Sequence, residues 1–289
     1  MARVEATIGA ELAEHLGRRR RAARRERLRV SGAQLVILLA ILGLWEYVTR
    51  IPWFIANTIF DPFFVSRPSL VAAKLYHWTF GKQAGYLWPH LYSTLVSTLL
   101  GLIVAVSTGF FVGLLLSQKR RLAAIFNPFI VGLNSLPRIA FVPLITMIFG
   151  LGIASKIVTA WFIVFFLVFF NTFKGGLNIE PHIINFCRGL GANDRQITRT
   201  VRIPNAAAWA FASLPNAVAF SLIGVVISEF VGSVTGMGYV IISALATLNS
   251  ADMFAAIVVL SVAGISLVTI FRAVERRLLR WSPEFRDLK

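Results

Sequence analysis

Six stretches of this chain stay apolar for about the length of helix that crosses some 30 Å of hydrocarbon, roughly 20 residues. They run near Gln34–Thr49, Leu91–Ser117, Leu122–Phe149, Ile153–Phe173, Ala206–Val231 and Met253–Val274, the first being the shortest and weakest. Backbone polar groups in lipid must be satisfied within their own segment, so such stretches are helices. Composition supports this: 57% of residues are hydrophobic and 15% charged, with a mean hydropathy of +0.73, beyond what soluble domains carry. The expected fold is an all-α membrane protein with six transmembrane helices. A basic tail (1–32), a membrane domain (33–275) and a second tail (276–289) follow from the same pattern.

A net charge of +16 would suggest nucleic acid in a soluble chain. Here the Lys and Arg positions sort by membrane side. With the N-terminus inside, nine precede Ser31, three lie at Lys119–Arg121, five between Lys174 and Arg202, and six from Arg272 onward. Only six of 29 remain elsewhere: Arg50, Arg67, Lys74, Lys82, Arg138 and Lys156. Both termini are therefore expected to be cytoplasmic, and so is the polar insert at about 178–205. Glu5, Glu11, Glu14 and Glu26, with no small-residue cleavage site and a Trp45-Glu46-Tyr47 anchor, argue against a targeting peptide. The tail reads as a partner for anionic lipid, at about 1 kcal/mol per basic residue, and not for nucleic acid. The single cysteine, Cys187, excludes an intramolecular disulfide and suits a reducing compartment.

The insert itself has a physical grammar. Pro181 fits a first helical turn and Gly191 fits the left-handed residue that ends one, which predicts a short helix stopping near Leu190. Asn193 with Gln196 predicts a capping box opening a second helix, with Asp194 well placed against its dipole, and Pro204 limits how that helix continues. Ile183, Phe186, Cys187 and Leu190 recur at helical spacing, so one face needs a partner surface.

The register Asn185-Phe186-Cys187, three residues, Gly191-Ala192, then Val201-Arg202-Ile203-Pro204 resembles the Glu-Ala-Ala signature of prokaryotic ABC importer permeases. Pro137–Pro143, Phe149-Gly150-Leu151-Gly152, Ser228-Glu229-Phe230, Gly236-Met237-Gly238-Tyr239 and Glu275-Arg276-Arg277 with Arg280-Trp281 resemble the branch that handles alkanesulfonates, taurine and nitrate. The resemblance implies a type I importer permease fold. It further implies ATPase coupling through Asn185, Phe186, Cys187, Leu190, Gly191, Ala192, Val201, Ile203 and Pro204. Implied partners are two cytoplasmic ATPase subunits carrying ATP and Mg, an external substrate-binding protein and a second permease copy. Asn185 replaces the family's acidic residue, which leaves apolar contact as the expected docking mode. Related permeases carry a pyrimidine vitamin precursor or an aromatic acid, so those substrates stand as alternatives, as does a passive channel or scaffold.

No Gly-x-x-x-x-Gly-Lys-Ser/Thr run occurs, so ATP hydrolysis is expected on a separate subunit. No hydrolase elbow or metal-binding spacing appears, and His15, His77, His90 and His182 are scattered interfacial or loop histidines. Candidates for the translocation path are groups that are costly in lipid. Pro137 and Pro143 are expected to break the third span, with Asn134 and Ser135 just before them, and Pro215 with Asn216 lies inside the fifth. Each either lines a path or is re-satisfied by packing. Glu229, near the outer end of the fifth span, either gates or ends that helix in headgroups. Gly109 and Gly113, four apart, predict close helix packing.

Overall fold

The computed structural model describes residues 25–26, 28–58, 61–118 and 120–280, and every regular element among them is helical. Most of the basic tail, and residues 281–289 with Trp281, lie outside the described residues. The chain forms two units, 1–72 and 73–289.

The first unit contains α1 (Leu28–Val48), α2 (Pro52–Asn57), α3 (Pro62–Val65) and the start of α4 (Pro68–Thr79). None of the apolar window of α1 is buried against its own chain. Such a surface is stable only in lipid or against another protein. Glu46 closes this unit: its carboxylate accepts from Arg50 Nη2 (2.6 Å), Ser69 N (3.0 Å) and Ser69 Oγ (2.9 Å). The residue expected to anchor the helix end at the interface thus ties α1 to the first turn of α4.

The second unit is a bundle built on α8 (Ile153–Leu177). Around it stand α5 (Leu87–Ser117), α6 (Arg120–Asn134), α7 (Val142–Phe149), α9 (Pro181–Gly189), α10 (Asp194–Ile197), α11 (Ile203–Ala212), α12 (Leu214–Val231), α13 (Met237–Ala246) and α14 (Ser250–Leu278). Leu102, Ala105, Val164, Val168, Ala217 and Val218 from α5, α8 and α12 interdigitate with Leu267 of α14 in the core. The expected glycine contact forms between α5 and α8. A methyl on Gly109 would stand 2.9 Å from Phe165 O, and one on Gly113 2.8 Å from Phe169 O. Bare backbone therefore meets backbone along this seam.

Among the described residues, five helices are long and apolar enough to cross a membrane, or six if one bent pair counts as a span. The third span breaks at a proline as expected, while three other expectations are corrected: that Pro143 breaks it too, that the fifth span begins at Ala206, and that the first span is the shortest. The third span is a broken pair, Ala123–Leu133 and Arg138–Phe149, meeting at 77°. The break falls at Pro137, which precedes a 3-10 turn at Arg138–Phe141; Pro143 sits in the first turn of α7, where a missing N–H costs nothing. The fifth span, expected from Ala206, is α12 alone, and Pro215 starts that helix instead of interrupting it. At 18 residues α12 is also the shortest span, so the first is not. Finally α13 is an extra buried apolar helix, too short at 10 residues to cross the bilayer.

Replacing Gly109 or Gly113 with Leu is expected to wedge α5 from α8 and cost about 1–3 kcal/mol. A fall of several degrees in the detergent melting temperature reads this, with Gly132→Ala, whose added methyl meets nothing within 4 Å, unchanged.

Candidate coupling elbow, membrane ion pair and path cavity

The insert folds as its grammar predicts. Pro181 starts α9, and Gly191 takes φ +84° beyond Leu190. The chain there closes with Leu190 N donating to Phe186 O (3.1 Å) and Ala192 N to Cys187 O (3.0 Å). Gln196 N donates to Asn193 Oδ1 (2.9 Å) while Asn193 N donates to Gln196 Oε1 (2.8 Å), a reciprocal box at the head of α10. Arg188 Nη2 reaches Asp194 Oδ1 at 3.2 Å across the glycine, an exposed pair worth little by itself.

Helical backbone continues beyond α10 through a wider π turn at Thr198–Arg202, where Ile203 N donates to Thr198 O, and Pro204 then lies in the first turn of α11. The proline was expected to limit this helix; the π turn carries the chain past it. Asn205 Nδ2 donates to Gly175 O (2.7 Å) and Arg202 Nη1 to Gln118 O (3.4 Å), so the elbow is fastened to the ends of α8 and α5.

The candidate coupling residues divide into two groups. Phe186 (68% exposed), Leu190 (73%) and Ile183 (39%) form an apolar knob on α9, with Cys187 half-buried beside it. Val201, Ile203, Pro204 and Ala192 are half-buried, and Asn185 lines a cleft of about 400 Å³ with Arg188 and Arg202. The first group is surface offered to something else, whereas the second positions it.

Glu229 does not end its helix in headgroups. It is 1% exposed, paired with Lys156 Nζ at 3.0 Å, and accepts from Thr94 Oγ1 (2.9 Å) and Gly238 N (2.8 Å). Lys156 Nζ also donates to Thr235 O (2.6 Å) and Ser93 Oγ (3.0 Å), and Met237 N donates to Thr94 Oγ1 (2.8 Å). Gly236 takes φ +112°, and a side chain there would collide with the Glu229 carboxylate. The network joins α5, α8 and α12 to the turn that starts α13. His90 belongs to this region too: its Nδ1 accepts from Gly236 N (3.1 Å) and its ring stacks on Tyr239, so it is not merely interfacial. Lys156 and Glu229 are 73 residues apart, and only folding pairs them.

The path candidates are not gathered together. A cavity of about 890 Å³ opens among α6, α8 and α12, and Ser135 is the one candidate on its wall. Pro137, Pro143, Pro215 and Asn216 lie outside its lining, and the Asn134 side chain lies outside the described residues. Sequence reading missed Arg138 and Asn171, which do line it. The signal was present, since a charge inside a spanning stretch is costly in lipid. It was absorbed into the count of basic residues by membrane side. Among the described residues, no group of three or more His, Cys, Asp or Glu is placed to hold a metal.

A helical bundle of spanning length with a capped polar elbow between two spans defines a multi-pass membrane permease. The chain belongs to the binding-protein-dependent transport system inner membrane component family, which matches residues 97–280. It is thus the inner-membrane permease subunit of an ABC importer, not itself an enzyme; the ATPase is a separate subunit.

Similar proteins include a "Probable ABC transporter permease protein" of Haemophilus influenzae, 33% identical over 78% of this chain and 88% of that one. The taurine transport system permease protein TauC of Escherichia coli is 27% identical over 84% and 90%. The formylaminopyrimidine transport permease protein ThiX of Halalkalibacterium halodurans is 24% identical over 85% and 94%. The MetNI methionine ABC transporter, solved in inward-facing conformations, superposes with a TM-score of 0.50 over 66% of this chain and 94% of that one, at 20% identity. That likeness supports the type I permease fold.

Removing one partner of the membrane ion pair leaves a buried charge uncompensated. Lys156→Met or Glu229→Met alone is expected to cost about 3–5 kcal/mol, and the double variant less than either single change. Tryptophan-monitored unfolding in detergent measures the cycle.

Proposed function

We propose that this permease acts as a homodimer whose elbows each grip one of two cytoplasmic ATPase subunits. Both termini and the 178–205 elbow face the cytoplasm, as the distribution of basic residues supports. ATP and Mg reside on the ATPase, and an external binding protein delivers the solute. ATP binding draws the ATPases together, pulls the elbows and opens the paired bundles outward; hydrolysis resets them. The exposed apolar knob of Ile183, Phe186 and Leu190 on a rigidly capped loop carries this reading. A solvent-facing cluster of this kind, held by a capping box and a left-handed glycine, is suited to transmit force.

The cargo is a small anion such as an alkanesulfonate, taurine or nitrate, in keeping with the similarity to TauC. The similarity to ThiX favours, as a second reading, a pyrimidine vitamin precursor. Uptake competition in vesicles loaded with the binding protein separates the two.

Burying a Phe or Leu side chain stabilises an interface by about 1.5–3 kcal/mol. Phe186→Asp or Leu190→Asp should therefore weaken ATPase co-purification at least tenfold and abolish ATP-driven uptake. Gly191→Val, forced into a left-handed conformation, should lose uptake as well; full transport by that variant contradicts the coupling role. In right-side-out vesicles Cys187 should resist an impermeant maleimide until the membrane is opened, and labelling from outside overturns the topology.

A further inference from the structure

We infer that the cavity walled by Arg138 is the anion site of the translocation path, holding the sulfonate or carboxylate head of the solute. The proposal rests on the alternating-access reading above and adds the site and its sign.

Three observations carry it. The first is depth. Arg138 Nη1 donates to Ile163 O at 3.4 Å, and its guanidinium lies 5.0 Å from the Phe166 ring centre. Ile163 and Phe166 are at the middle of the span Ile153–Leu177, so the cation sits near mid-membrane. The bend after α6 and the 3-10 turn place it there. An arginine at that depth facing lipid costs about 2.5–3.5 kcal/mol on insertion scales, so it belongs against protein or a water-accessible path.

The second is sign. The residues lining the cavity include two cations, Arg138 and Lys174, and no carboxylate. Lys156, the other lysine within a span, is balanced by Glu229 and adds no net field. Apart from Ser135 and Asn171 the rest of the wall is apolar, and the two cations give it a positive potential.

The third is fit. Asn171, one of whose two amide protons is donated to Leu167 O (2.8 Å), has a second N–H for the same space, whereas the Ser135 hydroxyl donates to Val131 O (3.1 Å) and marks the wall without adding a donor. A guanidinium offers donors in a planar fork that matches an oxyanion edge. A cavity of about 890 Å³ is ample for a small solute.

The test uses the full chain with its ATPase subunits in nanodiscs. Ser135→Cys provides a reporter thiol, and the rate measured for Cys187 in the parent protein is subtracted. A methanethiosulfonate bearing a sulfonate should modify position 135 faster than one bearing trimethylammonium. Arg138→Gln should cut that rate ratio about tenfold, as loss of one solvent-screened unit charge on the same cavity wall would, while Arg138→Lys should keep most of it.

Ethanesulfonate should slow modification by neutral methyl methanethiosulfonate, its neutral counterpart dimethyl sulfone should not, and Arg138→Gln should abolish the protection. An unreactive position 135, a ratio untouched by Arg138→Gln, or equal protection by the sulfone overturns the assignment. ATPase co-purification in the same samples reads the coupling proposal separately. Its loss with the rate ratio intact sinks that proposal and leaves the anion site standing.

Discussion

The Lys156–Glu229 pair is the constraint around which the second unit is arranged. Two ions removed from water cost several kcal/mol each unless mutual attraction and hydrogen bonds replace the lost hydration. Both are almost fully enclosed, and both are surrounded by donors or acceptors: Thr94, Gly238, Ser93 and Thr235 complete their shells. Because Lys156 lies on α8, Glu229 on α12 and their partners on α5, in the turn before α13 and in α13 itself, the pair holds three spans and a short helix in one register. Polar networks of this kind specify an arrangement more than they strengthen it, since a displaced helix would strand a charge.

That fixed end contrasts with the opposite end of α8. There the elbow is held by short-range devices: a capping box, a left-handed glycine, and the bonds of Asn205 and Arg202 to neighbouring helix ends. The bundle is pinned by the ion pair at one end and ends in a projecting apolar knob at the other. The glycine seam between α5 and α8 lies between the two, with backbone at van der Waals distance. Close packing there favours transmission of displacement over its absorption.

The third span divides where the cavity opens. Its break at Pro137 ends α6 and turns the chain by 77°, which places Arg138 against the middle of α8 instead of at a helix end. Proteins named for taurine and for formylaminopyrimidine transport are both similar in sequence to this chain over 84% and 85% of its length. The fold alone therefore does not fix the cargo.

Local chemistry was legible in the sequence. Spanning stretches, the insert with its two short helices, the capping pair Asn193 and Gln196, the stop at Gly191 and the close approach at Gly109 and Gly113 all depend on residues within a few positions of one another. Periodicity, caps and glycine spacing act at that range, which is why they could be read without a structure. Tertiary structure alone decided what depends on distant residues meeting. It brought Lys156 to Glu229, made Pro143 and Pro215 helix starts instead of breaks, buried α13, and turned Arg138 from one more basic residue into the wall of a cavity. The physical reason is that a charge's environment in a membrane is set by its neighbours across helices, and the linear pattern does not name them.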